Sequence, residues 1–473
     1  LATSVIDSPV FRDLFTEPRV RKIWSDSGRT EQYLAVEAAL SEVQGRLGII
    51  PADAAKKIAS VCLLEKIDMV RLADETAEIG YPVLPLVHQI QSLAGDAGDW
   101  CHWGATTQDI TDTATVLQIK ASLDVVADLL ERCIAAASGL ARAHRDLPMV
   151  GRSNLQQAVP ITFGFKMARL AASLLRHRER LAELRPRIEV LEFGGACGTL
   201  ASLGDRGLDV QKVLADTLGL ARPPITWHTD RDSIAETACF LGLVTGTLSK
   251  FATDLKTMMM TEVNEAAEPF VLNRGSSSTM PQKRNPISCC YITACAASVR
   301  QSTAALLGSM DADHERSTGP WEIEWIELPR IFSLASGALS QAAFVLEGLE
   351  VNGDRMAANL GITKGLIMSE AVMMALAPKI GRGQAHDMLY KVCRAALEQN
   401  RSLAEMLKAD DAVTEQLSHR QIDHLTDPAR YLGCAGEMID AVLAHSTTSD
   451  HDPITTLAEN LDEGSPSRAI ADS

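Results

Sequence analysis

Residues 274–286 read RGSSSTMPQKRNP, a stretch of thirteen positions between two segments of helical pattern. It supplies adjacent hydroxyls on Ser276, Ser277 and Ser278, followed by Met280, Lys283, Arg284 and Asn285. A solvated connection is the plain reading, since loops of this length are often mobile. The chemical reading is a loop that holds an oxyanion and moves a proton. Hydroxyls, backbone N–H groups and cations gathered in one place can stabilise negative charge as it develops.

Other segments collect polar residues where a helix should begin. Residues 104–109 read GATTQD, and Thr106 and Thr107 with free backbone N–H groups would make a carboxylate cradle. The competing reading is a helix cap. Residues 151–157, GRSNLQQ, repeat the pattern before Pro160, with Asn154 and Gln156 as candidates and a capping turn as the alternative. Arg231 lies in WHTDRD, where an ion pair to Asp230 or Asp232 competes with binding an anionic substrate. Residues 313–325 concentrate charge and two tryptophans.

Several classes are disfavoured. Lys and Arg total 45 against 61 Asp and Glu, a formal charge of −16, so nucleic acid and anionic membrane are poor partners. Residues 194–198, GGACG, fit neither dinucleotide nor P-loop spacing. The eleven histidines show no H-x-x-x-H or H-E-x-x-H pattern, so no catalytic metal and no cofactor is expected. A G-x-S-x-G turn is absent. The ten cysteines have no C-x-x-C pair and read as buried thiols. With no apolar run of roughly 20 residues and no signal-like opening, a cytoplasmic location is expected.

These candidates must be held by helices. Residues 30–47 place apolar side chains at helical spacing and end at Gly48. Longer helical stretches are expected over 113–147, 161–191, 232–268, 286–310 and 326–349. The third has no proline over 37 residues and would run about 55 Å at 1.5 Å per residue. It opens on Ser233-Ile-Ala-Glu236, the arrangement for reciprocal capping. Strand signals are nearly absent. The fold class expected is all-α, with three helical domains: an N-terminal domain over 1–111, a central long-helix bundle over 112–351 and a C-terminal domain over 352–446. Residues 447–473 should be a disordered tail. Helices this long and apolar point to assembly through the bundle.

Together, these segments resemble the fumarase/aspartase superfamily, whose signature loop reads S-S-x-M-P-x-K-x-N. Ser277, Ser278, Met280, Pro281, Lys283 and Asn285 match it position by position. Residues 106–109 look like the superfamily's first motif and 151–164 like its second. Within it, 102–109, 314–321 and 365–378 are most similar to 3-carboxy-cis,cis-muconate cycloisomerases, beside the adenylosuccinate lyases. The resemblance covers roughly residues 5–445. It implies a homotetramer whose active sites each draw on three subunits. Departures are Ser276 for the usual Gly, Cys290 for a frequent Glu, and Asn154 where adenylosuccinate lyases place His. The segment 80–85 also lacks a clear counterpart to a second lyase histidine.

By resemblance, Ser277 is the base that removes a proton beside a carboxylate of a small polycarboxylate, forming an aci-carboxylate. Lys283 and Asn285 would hold that carboxylate. Thr106, Thr107 and Gln156 would grip another end, with Asn154, Arg231, Ser278 and Met280 as further substrate contacts. Lactonisation by a cycloisomerase is the favoured outcome. Epimerase or C–N lyase chemistry on an N-substituted aspartate such as iminodisuccinate is the alternative, and a non-catalytic scaffold the remote one.

Overall fold

A 37-residue helix, Thr107–Ala143, shows why this sequence becomes helical bundles. It contains no proline, and its first turns bury Ile110, Ala114, Val116 and Ile119 together with Thr111, Asp112, Thr113 and Gln118. A helix covered nearly all round must be surrounded by others. The further long helices are Phe163–Ile188, Asp232–Met258, Ile287–Gly308 and Pro320–Glu347. The architecture is all-α apart from two small antiparallel sheets. No helix among the described residues is long and apolar enough to cross a membrane.

The computed structural model describes residues 3–446; the expected tail at 447–473 lies outside the described residues. The chain divides into two units, one of Leu1–Leu130, His177–Ser249 and Tyr291–Gln341, the other of Glu131–Arg176, Lys250–Cys290 and Ala342–Ser473. In the first unit, helices Asp26–Arg46, Ala52–Val61, Val83–Ala94 and Gly207–Leu218 share a core that includes Leu34, Leu40, Ile58, Leu86, Ile90 and Leu214. In the second, Ser369–Ile380, Arg382–Gln399 and Leu403–Lys408 bury Met368, Val372, Leu376, Leu389 and Leu403.

Three local expectations are corrected. The helix from Asp232 ends at Met258 after 27 residues, about 40 Å rather than 55 Å. Asn264 takes a left-handed conformation (φ 50°), and Ala266–Ala267 then pairs with Glu350–Val351. Glu236 does not reach back to cap that helix but pairs with Arg187, at 2.8 Å from Nε. Residues 151–157 are not a capping turn: Pro148–Ser153 and Gln156–Thr162 form a β-hairpin with Ser153 opposite Gln156. Its two turn residues, Asn154 and Leu155, both have positive φ (50° and 63°), the requirement of the tight turn that matches strand twist. The cysteines also depart from expectation, because Cys197, Cys290 and Cys434 are exposed.

Candidate active site

In the first unit, the residues around Thr106 and Thr107 are organised by a carboxylate. Asp109 is buried in the first turn of the Thr107–Ala143 helix. Its Oδ2 accepts from the backbone N–H of Thr106 at 2.9 Å and of Gly195 at 3.0 Å. Its Oδ1 accepts from the Gly194 N–H at 2.8 Å and lies 2.8 Å from His228 Nε2. Asp109 therefore ties the start of the helix to residues 194–195 and to His228. The glycines permit this approach: a Cβ on Gly194 would sit 2.5 Å from Thr226 Cγ2 and 2.9 Å from His228 Cε1.

Glu192 completes the cluster. Its Oε1 lies 3.1 Å from His228 Nε2, and its Oε2 accepts from the Trp227 N–H at 2.6 Å. Burial pushes the Glu192 carboxyl up to about 9, against the pull of the Trp227 N–H, with Asp112 and Asp109 adding to the rise. The ligand-type atoms of Asp109, Glu192 and His228 all lie within 4.8 Å of one another, a grouping that could hold a metal and that histidine spacing does not reveal. Yet N–H donors already approach both Asp109 oxygens, and a cation there would face donor protons. The set reads as a hydrogen-bonded brace for the helix start.

Arg231 is fully buried, and its partners differ from the neighbouring aspartates considered from the sequence. Nη1 and Nη2 donate to Asp112 at 2.7 and 3.2 Å, and Nε and Nη2 donate to Glu324 at 2.8 and 2.5 Å. Trp321 Nε1 also donates to Asp112, at 3.0 Å. A guanidinium between two buried carboxylates has little charge left to offer a substrate. It fixes the helix Pro320–Glu347 against the start of the Thr107–Ala143 helix. Gln108, which the sequence reading passed over, bridges this network by donating to Asp112 at 2.9 Å and to the His228 carbonyl at 2.7 Å.

In the second unit, the serine-rich loop is closed at its neck. The backbone N–H and the side-chain Nδ2 of Asn285 both donate to the Gly275 carbonyl at 2.9 Å, and Ser276 bridges Arg284. Gly275 has φ +70°, and a Cβ there would meet the Asn285 carbonyl at 2.6 Å. Arg284 donates to the Glu268 carbonyl at 2.7 Å and to Glu350 at 2.9 and 3.1 Å, which holds the Glu350 carboxylate below its ordinary range. Buried Glu268 accepts from the N–H groups of Ser288 and Cys289, capping the helix Ile287–Gly308.

Above that neck, Ser277 is half-buried and its Oγ accepts from the backbone N–H of Thr279 at 3.2 Å and of Met280 at 3.1 Å. Two N–H dipoles aimed at one hydroxyl oxygen stabilise negative charge on it. Ser278, Met280 and Lys283 are exposed, and Lys283 has no carboxylate partner among the described residues. The hairpin is anchored nearby: Arg152 pairs with buried Glu265 through two contacts of 2.7 Å, and Gln157 donates to the Asn359 carbonyl at 3.1 Å. Its tip leaves Asn154, Leu155 and Gln156 exposed.

Residues 14–300 match the Lyase family and residues 365–442 match the adenylosuccinate lyase C-terminus family. This chain is a member of the fumarase/aspartase superfamily. Superfamily relatives include trans-aconitate decarboxylase 1 of Mycosarcoma maydis, 53% identical over 92% of this chain and 89% of that protein. The 3-carboxy-cis,cis-muconate cycloisomerase of Pseudomonas aeruginosa is 44% identical over 94% and 98%. The crystal structure of the 3-carboxy-cis,cis-muconate lactonizing enzyme from Pseudomonas putida superposes with a TM-score of 0.88 at 40% identity, covering 93% of this chain and 99% of the other.

Proposed function

We propose that this superfamily enzyme acts on a small unsaturated tricarboxylate and moves a proton at the carbon beside one of its carboxylates. The observation that carries the reading is Ser277, a half-buried hydroxyl under two backbone N–H donors on a loop with a fixed neck. Exposed Lys283 supplies a cation on the same loop. Thr106 and Thr107, the hairpin tip with Asn154 and Gln156, and the loop with Ser278, Met280 and Asn285 are the substrate-facing segments of this reading. They come together from different subunits of a homotetramer.

The substrate class rests on two relatives whose names denote unsaturated acids with three carboxylates. Their reactions share an intermediate. In lactonisation, a carboxylate oxygen bonds to an alkene carbon, and the alkene pair moves toward the neighbour that bears a carboxylate. In allylic decarboxylation, the bond to the departing CO₂ breaks, its pair becomes a new C=C, and the old alkene pair moves to the carbon beside another carboxylate. Each leaves an aci-carboxylate dianion that takes one proton at that carbon. Run backwards, the step is the proton removal expected of Ser277. The 53% identity to the decarboxylase favours CO₂ loss as the first reading, and the 44% identity to the cycloisomerase supports lactonisation as the second.

Proton NMR of the purified enzyme in D₂O, with trans-aconitate and 3-carboxy-cis,cis-muconate in separate samples, tests both. A product lacking one carboxylate, with one deuterium beside another, establishes decarboxylation. A deuterated lactone establishes cycloisomerisation. If neither acid is consumed, the tricarboxylate reading fails, and N-substituted aspartates become the substrates to test.

A further inference from the structure

Lys166 lies in the first turn of the helix Phe163–Ile188, and its side chain is only 19% exposed. An ammonium needs partners when it leaves water, and this one is poorly supplied. Among the described residues, the one carboxylate paired with it is Asp254, at 3.8 Å, and the same Oδ2 is held by Lys250 at 2.5 Å. Lys250, Arg152 and Arg169 all stand near enough to act on Nζ, and all belong to the second unit. Arg152 is matched by Glu265, whereas exposed Arg169 has no carboxylate partner among the described residues.

The charges of this cluster do not balance. Lys166, Arg152, Arg169 and Lys250 carry four positive charges against two negative ones on Asp254 and Glu265. Burial, and with it the three neighbouring cations, hold the Lys166 ammonium below its ordinary range against the pull of Asp254. The helix start adds positive potential at the same place. An amine in such a setting gives up its proton more readily, and its lone pair is then a nucleophile. Converting Lys166 from a cation to an anion would leave three positive charges against three negative ones.

We propose that Lys166 is a carbamylation site, at which Nζ takes up CO₂ as a carbamate compensated by Arg152, Arg169 and Lys250. The Nζ lone pair bonds to the carbon of CO₂, one C=O pair moves onto oxygen, and Nζ loses one proton to solvent. No oxidant or second reactant is needed. CO₂ is small and uncharged, so it can reach an amine that is mostly covered. The planar carbamate then presents two oxygens of the kind that guanidinium groups bind. On the first reading of the function CO₂ is also the enzyme's own product, but the modification requires only dissolved CO₂ and survives the failure of that reading. Its effect is to tie the hairpin, through Arg152, to the helices that carry Lys166 and Lys250.

The test equilibrates the full chain in mildly alkaline buffer with carbon-13-labelled bicarbonate, traps carbamates with triethyloxonium ion and maps the peptides by mass spectrometry. A labelled ethoxycarbonyl group on Lys166 is expected. Label confined to the terminal amine or to other lysines overturns the assignment, and because this arm uses the unaltered chain, no variant's folding bears on it. Arg169→Gln, at an exposed position, should lower the labelled fraction at Lys166 several-fold by removing one compensating charge. An unchanged fraction would mean that the surrounding cations do not stabilise the carbamate, and the proposal would fall with them.

Discussion

The two candidate regions, one in each unit, are built in opposite ways. Around Asp109, a buried carboxylate meets Thr106, Gly194, Gly195 and His228, and Arg231 is enclosed by two further carboxylates. Around Ser277, order is concentrated at the neck, where Gly275, Asn285 and Arg284 close the loop, while Ser278, Met280 and Lys283 face solvent. The first region is preorganised: the carboxylates of Asp109 and Asp112 and the Arg231 guanidinium are partnered before any substrate arrives. The second is fixed at its base and open at its tip, as a segment must be if it closes over substrate and excludes water during proton transfer. On the proposed function, burial in the one place and exposure in the other would divide recognition from chemistry.

The largest effect that would break this division is on rate. Ser277→Ala should lower kcat about 10²- to 10⁴-fold, the contribution of a positioned proton carrier. Its urea midpoint should match the wild type, because Oγ accepts only two short-range loop bonds. Turnover retained within a few-fold would remove Ser277 from the proton path. Asp109→Ala should act the other way, costing about 3–5 kcal/mol because it strands three backbone N–H groups and His228 in a buried site. A midpoint shift worth less than about 1 kcal/mol would show that the first region is not held by this carboxylate.

The neck of the loop offers an intermediate test. Gly275→Ala places a Cβ 2.6 Å from the Asn285 carbonyl at a residue with φ +70°. The left-handed conformation alone costs about 1–2 kcal/mol for a side chain. Most of that strain can relax by opening the neck, so kcat should drop about tenfold or more while global stability changes little. Substantial global destabilisation with normal kcat would mean that the loop is part of the rigid scaffold, and the contrast between the two regions would lose its basis.

What the sequence made legible follows the same contrast. The loop could be read because Ser277, Lys283 and Asn285 are close in sequence and unusual in a helical connection. The helices were legible from apolar spacing, with ends misplaced where Asn264 and a two-residue strand intervened. The brace around Asp109 was not legible: its partners at 194, 195 and 228 come from distant segments, and a Gly-Gly pair has many explanations. An ion pair for Arg231 was legible, but its partners were not, for the same reason. Asp230 and Asp232 stand beside it in the chain, but folding delivers Asp112 and Glu324. The hairpin was hidden by Leu155, which few would place at positive φ in a turn.

The smallest prediction concerns how the brace responds to pH. Glu192 has a folded-state value raised to about 9, chiefly by burial, above the ordinary 4.5. The folded protein therefore holds a proton there that the unfolded chain releases. The associated stability is fully present below about 4.5 and declines as pH rises toward about 9. Facing this carboxyl are Asp109 and His228, with Asp112 and Arg231 acting at longer range. Glu192→Gln keeps an oxygen to accept the Trp227 N–H but cannot ionise. Urea midpoints of variant and wild type, measured in parallel across that window, cancel most groups common to both. Their difference should move in favour of the variant as pH rises. A constant difference would mean that Glu192 ionises alike in the folded and unfolded chains, and that the brace is wetter than its burial implies.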